Sequence, residues 1–199
     1  GFVEGARDIE GGFEAVLLLG IGEATGRLIL RRRSAAFTDD ERTTLTRHLL
    51  RDLNQSQTYL VDQQTLPLRR VSRLLTPTVV TDLRAQLTGT RTYEVANALV
   101  LLGILGQADI VPQALRVVTE HRNVSSLRYA AIVALINSGE NTVINDLIAF
   151  ADPSDTYYIH LIDAIGSLCT PADFPRVLPL LESTNAGLSS AYYHFRELN

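Results

Sequence analysis

All 18 cationic side chains of this chain are arginine, and lysine, methionine and tryptophan are absent. Without lysine there can be no P-loop lysine, no Schiff base and no Ser–Lys dyad. His48, His121, His160 and His194 are scattered, and neither a His-x-x-x-His nor a Cys-x-x-Cys spacing occurs, so the spacing gives no hint of a metal site. Gly20-Ile-Gly-Glu-Ala-Thr-Gly26 carries two glycines of a dinucleotide-binding loop, but Thr25 stands where the third belongs and no strand is expected ahead of it. Glycines that let helices pack closely fit that segment better. Cys169 is the lone cysteine. In an apolar setting it reads as a small packing residue rather than a nucleophile, and it leaves a reducing, cytoplasmic location as the expectation. These residues point to a protein that is not an enzyme and carries no cofactor.

Charge offers one sharper feature. Arg31, Arg32 and Arg33 are consecutive, and with Arg27, Arg47, Arg51, Arg69, Arg70 and Arg73 they would make a face able to hold phosphates. The plainer reading is that arginines near a helix C-terminus offset its dipole and stay solvated. Residues 1–100 hold 13 Arg against 12 acids, and residues 101–199 hold 5 against 10, giving the overall −4. A chain so balanced is no general nucleic-acid coat.

These side chains need elements to position them. At 46% apolar and 20% charged, the chain has enough apolar surface for a core and too little charge for disorder. Thr38-Asp-Asp-Glu41 reads as a capping box opening a helix over 39–54, with Leu45, Leu49, Leu50 and Leu53 on one face. Thr76-Pro77 is a cap followed by proline at the first helical position, and Gly89 is the stop. Further helices are expected over 91–105, 109–121, a segment capped by Ser125 or Ser126 and ending at Gly139, 142–151, 155–168, a segment opened by Thr170-Pro171, and 186–198. Phe13 to Leu30 is apolar enough for a helix, broken near Gly20–Gly22. It contains Glu14, Glu23 and Arg27, so it is not a membrane span. The expected class is all-α, with no membrane segment and no signal peptide. A start at Gly1 without Met suits a processed product or an excised fragment.

Three stretches share one pattern. Aligned on Gly106, Gly139 and Cys169, spaced by 33 and 30, they place Leu102, Leu135 and Ile165 four residues before the anchor. Val111, Ile144 and Phe174 fall five after it, and Leu115, Ile148 and Leu178 nine after it. Apolar positions in fixed register at this period mark stacked helical hairpins, each covering its neighbour's apolar flank.

The stretch Leu105-Gly-Gln-Ala-Asp-Ile-Val-Pro-Gln-Ala-Leu115 resembles the turn and second helix of HEAT-type repeats of the short PBS-lyase HEAT-like variety. Pro112 and Pro175 share one repeat position, from which Asn145 departs, and Cys169 departs from the turn glycine. The match covers 91–181, about half the chain, and 69–87 resembles a degenerate earlier repeat. The resemblance implies an α-solenoid, a right-handed superhelix of helical hairpins over 69–199, behind an irregular helical section over 1–68.

It also implies a function class. Solenoids of this kind dock extended partners on a concave face, so the expectation is a non-catalytic protein–protein scaffold. Its partner would be another protein or another domain of the same polypeptide, and an apolar helix, an Arg-rich run and HEAT-like repeats together resemble the sensor region of NACHT-type signalling ATPases. Seven residues after the anchor stand Gln113, Asp146 and Arg176. With Arg116 and Glu120 they form the candidate recognition strip. The tyrosines Tyr93, Tyr129, Tyr157 and Tyr158 are expected to cap the core between repeats, and Tyr192 and Tyr193 to border an uncovered last face. The rival readings are a bilin lyase-like protein and a nucleic-acid-binding HEAT protein. HEAT-type alkylpurine glycosylases set aromatic residues against a damaged base, and the absence of Trp disfavours that role. The paired His-Glu dipeptides of HEAT-type di-iron hydroxylases are missing as well.

Overall fold

Thr38 opens the first helix as its spacing with Glu41 implies. Its hydroxyl accepts from Glu41 N at 3.2 Å, and the Glu41 carboxylate accepts from Thr38 N at 3.0 Å, so two otherwise orphan amides are satisfied. The helix, α1, spans Asp39–Gln55 and buries Thr46, Leu49, Leu50 and Leu53. The computed structural model describes residues 16–17, 28–29, 37–62, 71–121 and 124–182.

Seven more helices follow among the described residues: α2 (Pro77–Gln86), α3 (Thr92–Ile104), α4 (Val111–Glu120), α5 (Ser125–Ser138), α6 (Ile144–Phe150), α7 (Tyr158–Leu168) and α8 (Phe174–Glu182). Thr76 caps α2 from its hydroxyl with Pro77 at the first position, as expected. At α5 the expectation fails. Val124 is the N-cap and makes no side-chain bond, while Ser125 already lies inside the helix.

The described residues are all-helical apart from one short pairing, β1 (Val16–Leu17) antiparallel to β2 (Leu28–Ile29). That pairing corrects the helical reading of Phe13 to Leu30. Short apolar runs do not distinguish helix from buried strand, and Gly20, Gly22 and Gly26 oppose helix more than they oppose a turn. The rest of that segment, the expected helix over 186–198 and the expected division at 68/69 lie outside the described residues.

The three-fold register is carried into the backbone. Gly106 and Gly139 adopt φ of +66° and +70°, the left-handed conformation that ends a helix most cheaply with glycine. A 3-10 turn follows each anchor at the same offset: Ala108–Ile110, Asn141–Val143 and Pro171–Asp173. The second helix then begins at Val111, Ile144 and Phe174, the fifth residue in every case. Cys169 keeps φ at −70°, so there the first helix ends in extended backbone, and the Thr170–Asp173 capping box opens the turn that follows.

Packing refines the register. Leu102, Leu135 and Ile165 are completely buried. Nine after the anchor, however, Leu115 and Ile148 are half-buried and Leu178 is exposed. The buried position is the eighth, held by Ala114, Leu147 and Val177. The preceding turn already buries Ile110 and Val143 at the fourth position, and a helical face returns after four residues.

α3 packs on α5 and α5 on α7, while α2, α4 and α6 pack on α3, α5 and α7 in turn. Every residue of α3 from Val95 to Gly103 is buried, so this helix lies at the centre. Asn97 is the polar one among them. Its Oδ1 accepts from Leu60 N at 2.7 Å and its Nδ2 donates to Thr58 O at 2.9 Å, which pins the connection after α1 onto α3.

Candidate functional site

The sequence-derived strip lies on the second helices α4, α6 and α8, and its members divide by what they touch. Arg116 and Glu120 are both exposed and meet across one turn of α4 at 3.8 Å. Asp146 is exposed on α6. Gln113, expected to point outward, is half-buried, and its Nε2 donates to Leu87 O at 3.3 Å, just past the end of α2. Arg176 bonds Asp173 in its own unit and Asn145 on α6. Gln113 and Arg176 thus tie one second helix to the one before it. Arg84 makes a similar tie, donating to Asp109 at 2.8 Å and to Gln107 at 2.6 Å.

Asp173 is a well-held carboxylate. The Thr170 amide and hydroxyl donate to its Oδ2 at 2.8 and 2.7 Å, and with Arg176 they hold its pKa below the ordinary value. Cys169 sits beside it, half-buried, with Sγ against Gly166 O at 3.7 Å. Burial and then the Asp173 charge push its thiol pKa up, which disfavours the thiolate a nucleophile needs.

The arginine face is described only in part. Arg27, Arg31, Arg32, Arg33, Arg69 and Arg70 lie outside the described residues, as do Tyr192, Tyr193 and His194. Of those within, Arg47 donates to Asp82 on α2 at 2.7 Å, Arg51 contacts His48 at 2.5 Å, and Arg73 is exposed.

The strongest electrostatic feature escapes sequence reading altogether. Arg128 on α5 is 2% exposed and forms a two-pronged pair with Asp155, itself 7% exposed, at 2.7 and 2.6 Å. Its Nε donates to Val118 O at 2.9 Å, satisfying a carbonyl at the end of α4. The Tyr157 ring lies 5.4 Å from the guanidinium carbon, and Tyr157 N donates to Asp155 Oδ1 at 2.8 Å. Tyr158, 4% exposed, donates from its hydroxyl to Leu180 O at 2.6 Å on α8. His160 packs between Tyr129 and Tyr157 with ring centroids at 4.7 and 5.6 Å. Tyr129, Tyr157 and Tyr158 thus sit at contacts between helices. The available signal was one arginine inside the apolar run of 127–136, a costly place for an unpaired charge.

Among the described residues, no group of three or more His, Cys, Asp or Glu side chains is placed to share a metal ion, and no helix is long and apolar enough to cross a membrane. Searches of protein-family models, curated proteins and solved structures find no match to this chain.

Proposed function

We propose that the chain is a non-catalytic protein-binding scaffold, a HEAT-like α-solenoid in a right-handed superhelix. Its second helices offer one face to a protein partner or to another domain of the same polypeptide. The observation that carries this reading is that behind each of three first helices an anchor, a 3-10 turn and the start of a second helix recur at identical offsets. Repeats of that size bury their apolar flanks by stacking, and stacking lines up equivalent helices on one side. The ties from Gln113 to Leu87 and from Arg176 to Asn145 support such an alignment.

Arg116, Glu120, Asp146 and Arg176 are the exposed members of the strip; Arg176 is engaged by Asn145 and Asp173, so the other three are the residues that meet the partner in this reading. Its test is a pull-down comparing the natural chain with the Arg116→Ala, Glu120→Ala, Asp146→Ala triple variant. Surface changes of this kind leave stability within about 0.5 kcal/mol each. Loss of a captured protein at unchanged Tm supports the scaffold, and undiminished capture of every bound protein overturns this face.

A further inference from the structure

The joint between α5 and α7 is built differently from the joint between α3 and α5. At Gly103 the backbones of α3 and α5 touch, too close to admit even a Cβ. The same repeat position on α5, three residues before the anchor, holds Ile136, whose side chain rules out that approach to α7. Every residue of α3 from Val95 to Gly103 is buried, so parting α3 from α5 would expose a continuous apolar face. The bridges from α5 to the start of α7 are instead polar or aromatic. Arg128 pairs with Asp155 and lies against Tyr157, and His160 packs between the half-buried Tyr129 and Tyr157 rings. Charges released into water regain their hydration, so a buried ion pair costs little to separate as a whole.

Packing divides the described residues at the same place. On one side α1 meets α2, α2 and α5 meet α3, and α4 meets α5. On the other side α6 and α8 each pack on α7. Within this second group the Tyr158 hydroxyl donates to Leu180 O, and Arg176 bonds Asn145. Among the described residues, the main helix contact between the two groups is that of α5 with α7. The chain passes from one group to the other through Gly139, which is exposed, holds φ at +70° and has open space where a Cβ would stand.

We propose that the described residues of 37–138 and those of 144–182 are two bodies that part as units at the α5–α7 joint, turning about Gly139. Opening there separates the Arg128–Asp155 pair and the ring contacts while each body keeps its own core. Arg116 and Glu120 ride on the first body and Asp146 on the second, so this joint sets the spacing along the exposed strip. The proposal rests on packing and not on what the strip binds.

The experiment is native-state hydrogen exchange on the full chain in low urea. Amides of α6, α7 and α8 are expected to share one opening, with protection at least about thirtyfold below that of α3 and a shallower urea dependence, because less surface is exposed. Ile110→Val trims one buried methyl group from the first body. It is expected to lower the protection of α3 by about fivefold and to leave the shared opening of α6 to α8 where it was, since the first body stays folded when the joint opens. Asp155→Asn, which weakens the bridge itself, is expected to lower both. A single urea dependence for all helices, protection of α6 to α8 that follows Ile110→Val down, separate exchange of each helix without urea dependence, or indifference of α6 to α8 to Asp155→Asn would each overturn the proposal.

Discussion

Arg128 and Asp155 stand 27 residues apart in sequence and close on each other through two parallel hydrogen bonds, both side chains nearly dry. Because Arg128 also holds the end of α4 through Val118 O, a single guanidinium fastens α4, α5 and the loop entering α7. An ion pair this buried adds little net stability over a well-packed apolar pair, but it fixes geometry, and either half alone is expensive.

That asymmetry makes the first prediction. Arg128→Met takes the guanidinium charge away from the buried Asp155 carboxylate and is expected to cost about 3–5 kcal/mol, read by urea denaturation. The Arg128→Met, Asp155→Leu double variant is expected to recover most of the loss, since both charges leave together. A double variant as unstable as the single one would mean that Arg128 acts through Val118 O rather than through Asp155.

Local chemistry was legible in the sequence where one residue speaks to another three or four away. The Thr38–Glu41 box and the Thr76 cap follow from such short-range rules, whereas the second helices expected from 109, 142 and Thr170-Pro171 open as 3-10 turns and become α-helical at Val111, Ile144 and Phe174. Long-range pairing was not legible. Arg128 stands out in sequence as a charge inside an apolar run, but nothing there names Asp155 as its partner, and Gln113 looks like a free surface amide until Leu87 O is placed beside it. The buried eighth position was hidden as well, because Ala114 is too small to announce a core position while its neighbour Leu115 does so loudly. The segment around β1 and β2 was misread because its apolar runs are short and period alone does not separate strand from helix.

Gly103 gives the second prediction. A Cβ built on it would lie 2.7 Å from Ala134 Cα and 2.8 Å from Ala134 O, so α3 and α5 approach closely enough that only glycine fits. The obstruction is backbone, which cannot swing aside as a side-chain tip can. Gly103→Ala is expected to destabilise by about 1–3 kcal/mol despite alanine's better helix propensity. A Tm equal to or above that of the natural chain would show that the two helices can separate without loss.

The anchor glycines make the third. Gly106 and Gly139 have open space where a Cβ would go, so the only cost of a side chain there is the positive φ. Gly139→Ala is expected to cost about 1–2 kcal/mol, and Gly139→Asn less, because asparagine tolerates the left-handed region better. Cys169→Gly, by contrast, is expected to bring no gain, since that position is extended with φ −70° and ψ 151°. Thermal melts of the three variants check the order.

The last prediction concerns acid. Asp173 is held below its ordinary pKa, first by the Thr170 amide, then by the Thr170 hydroxyl, with Arg176 adding a smaller share. A carboxylate depressed in the folded state contributes stability that is fully present above its unfolded pKa of about 3.9 and lost as pH falls through the lower folded value. Asp173→Asn removes that linkage, so its melting temperature is expected to fall less steeply than that of the natural chain between about pH 5 and pH 2. At neutral pH the variant starts lower, because a neutral amide is a weaker acceptor for the two Thr170 donors. Thr170→Ala should flatten the same acid limb by raising the Asp173 pKa toward its ordinary value. Parallel acid limbs for all three proteins would mean that the Thr170–Asp173 box is already formed in the unfolded chain, and that the turn after Cys169 takes its shape from local sequence alone.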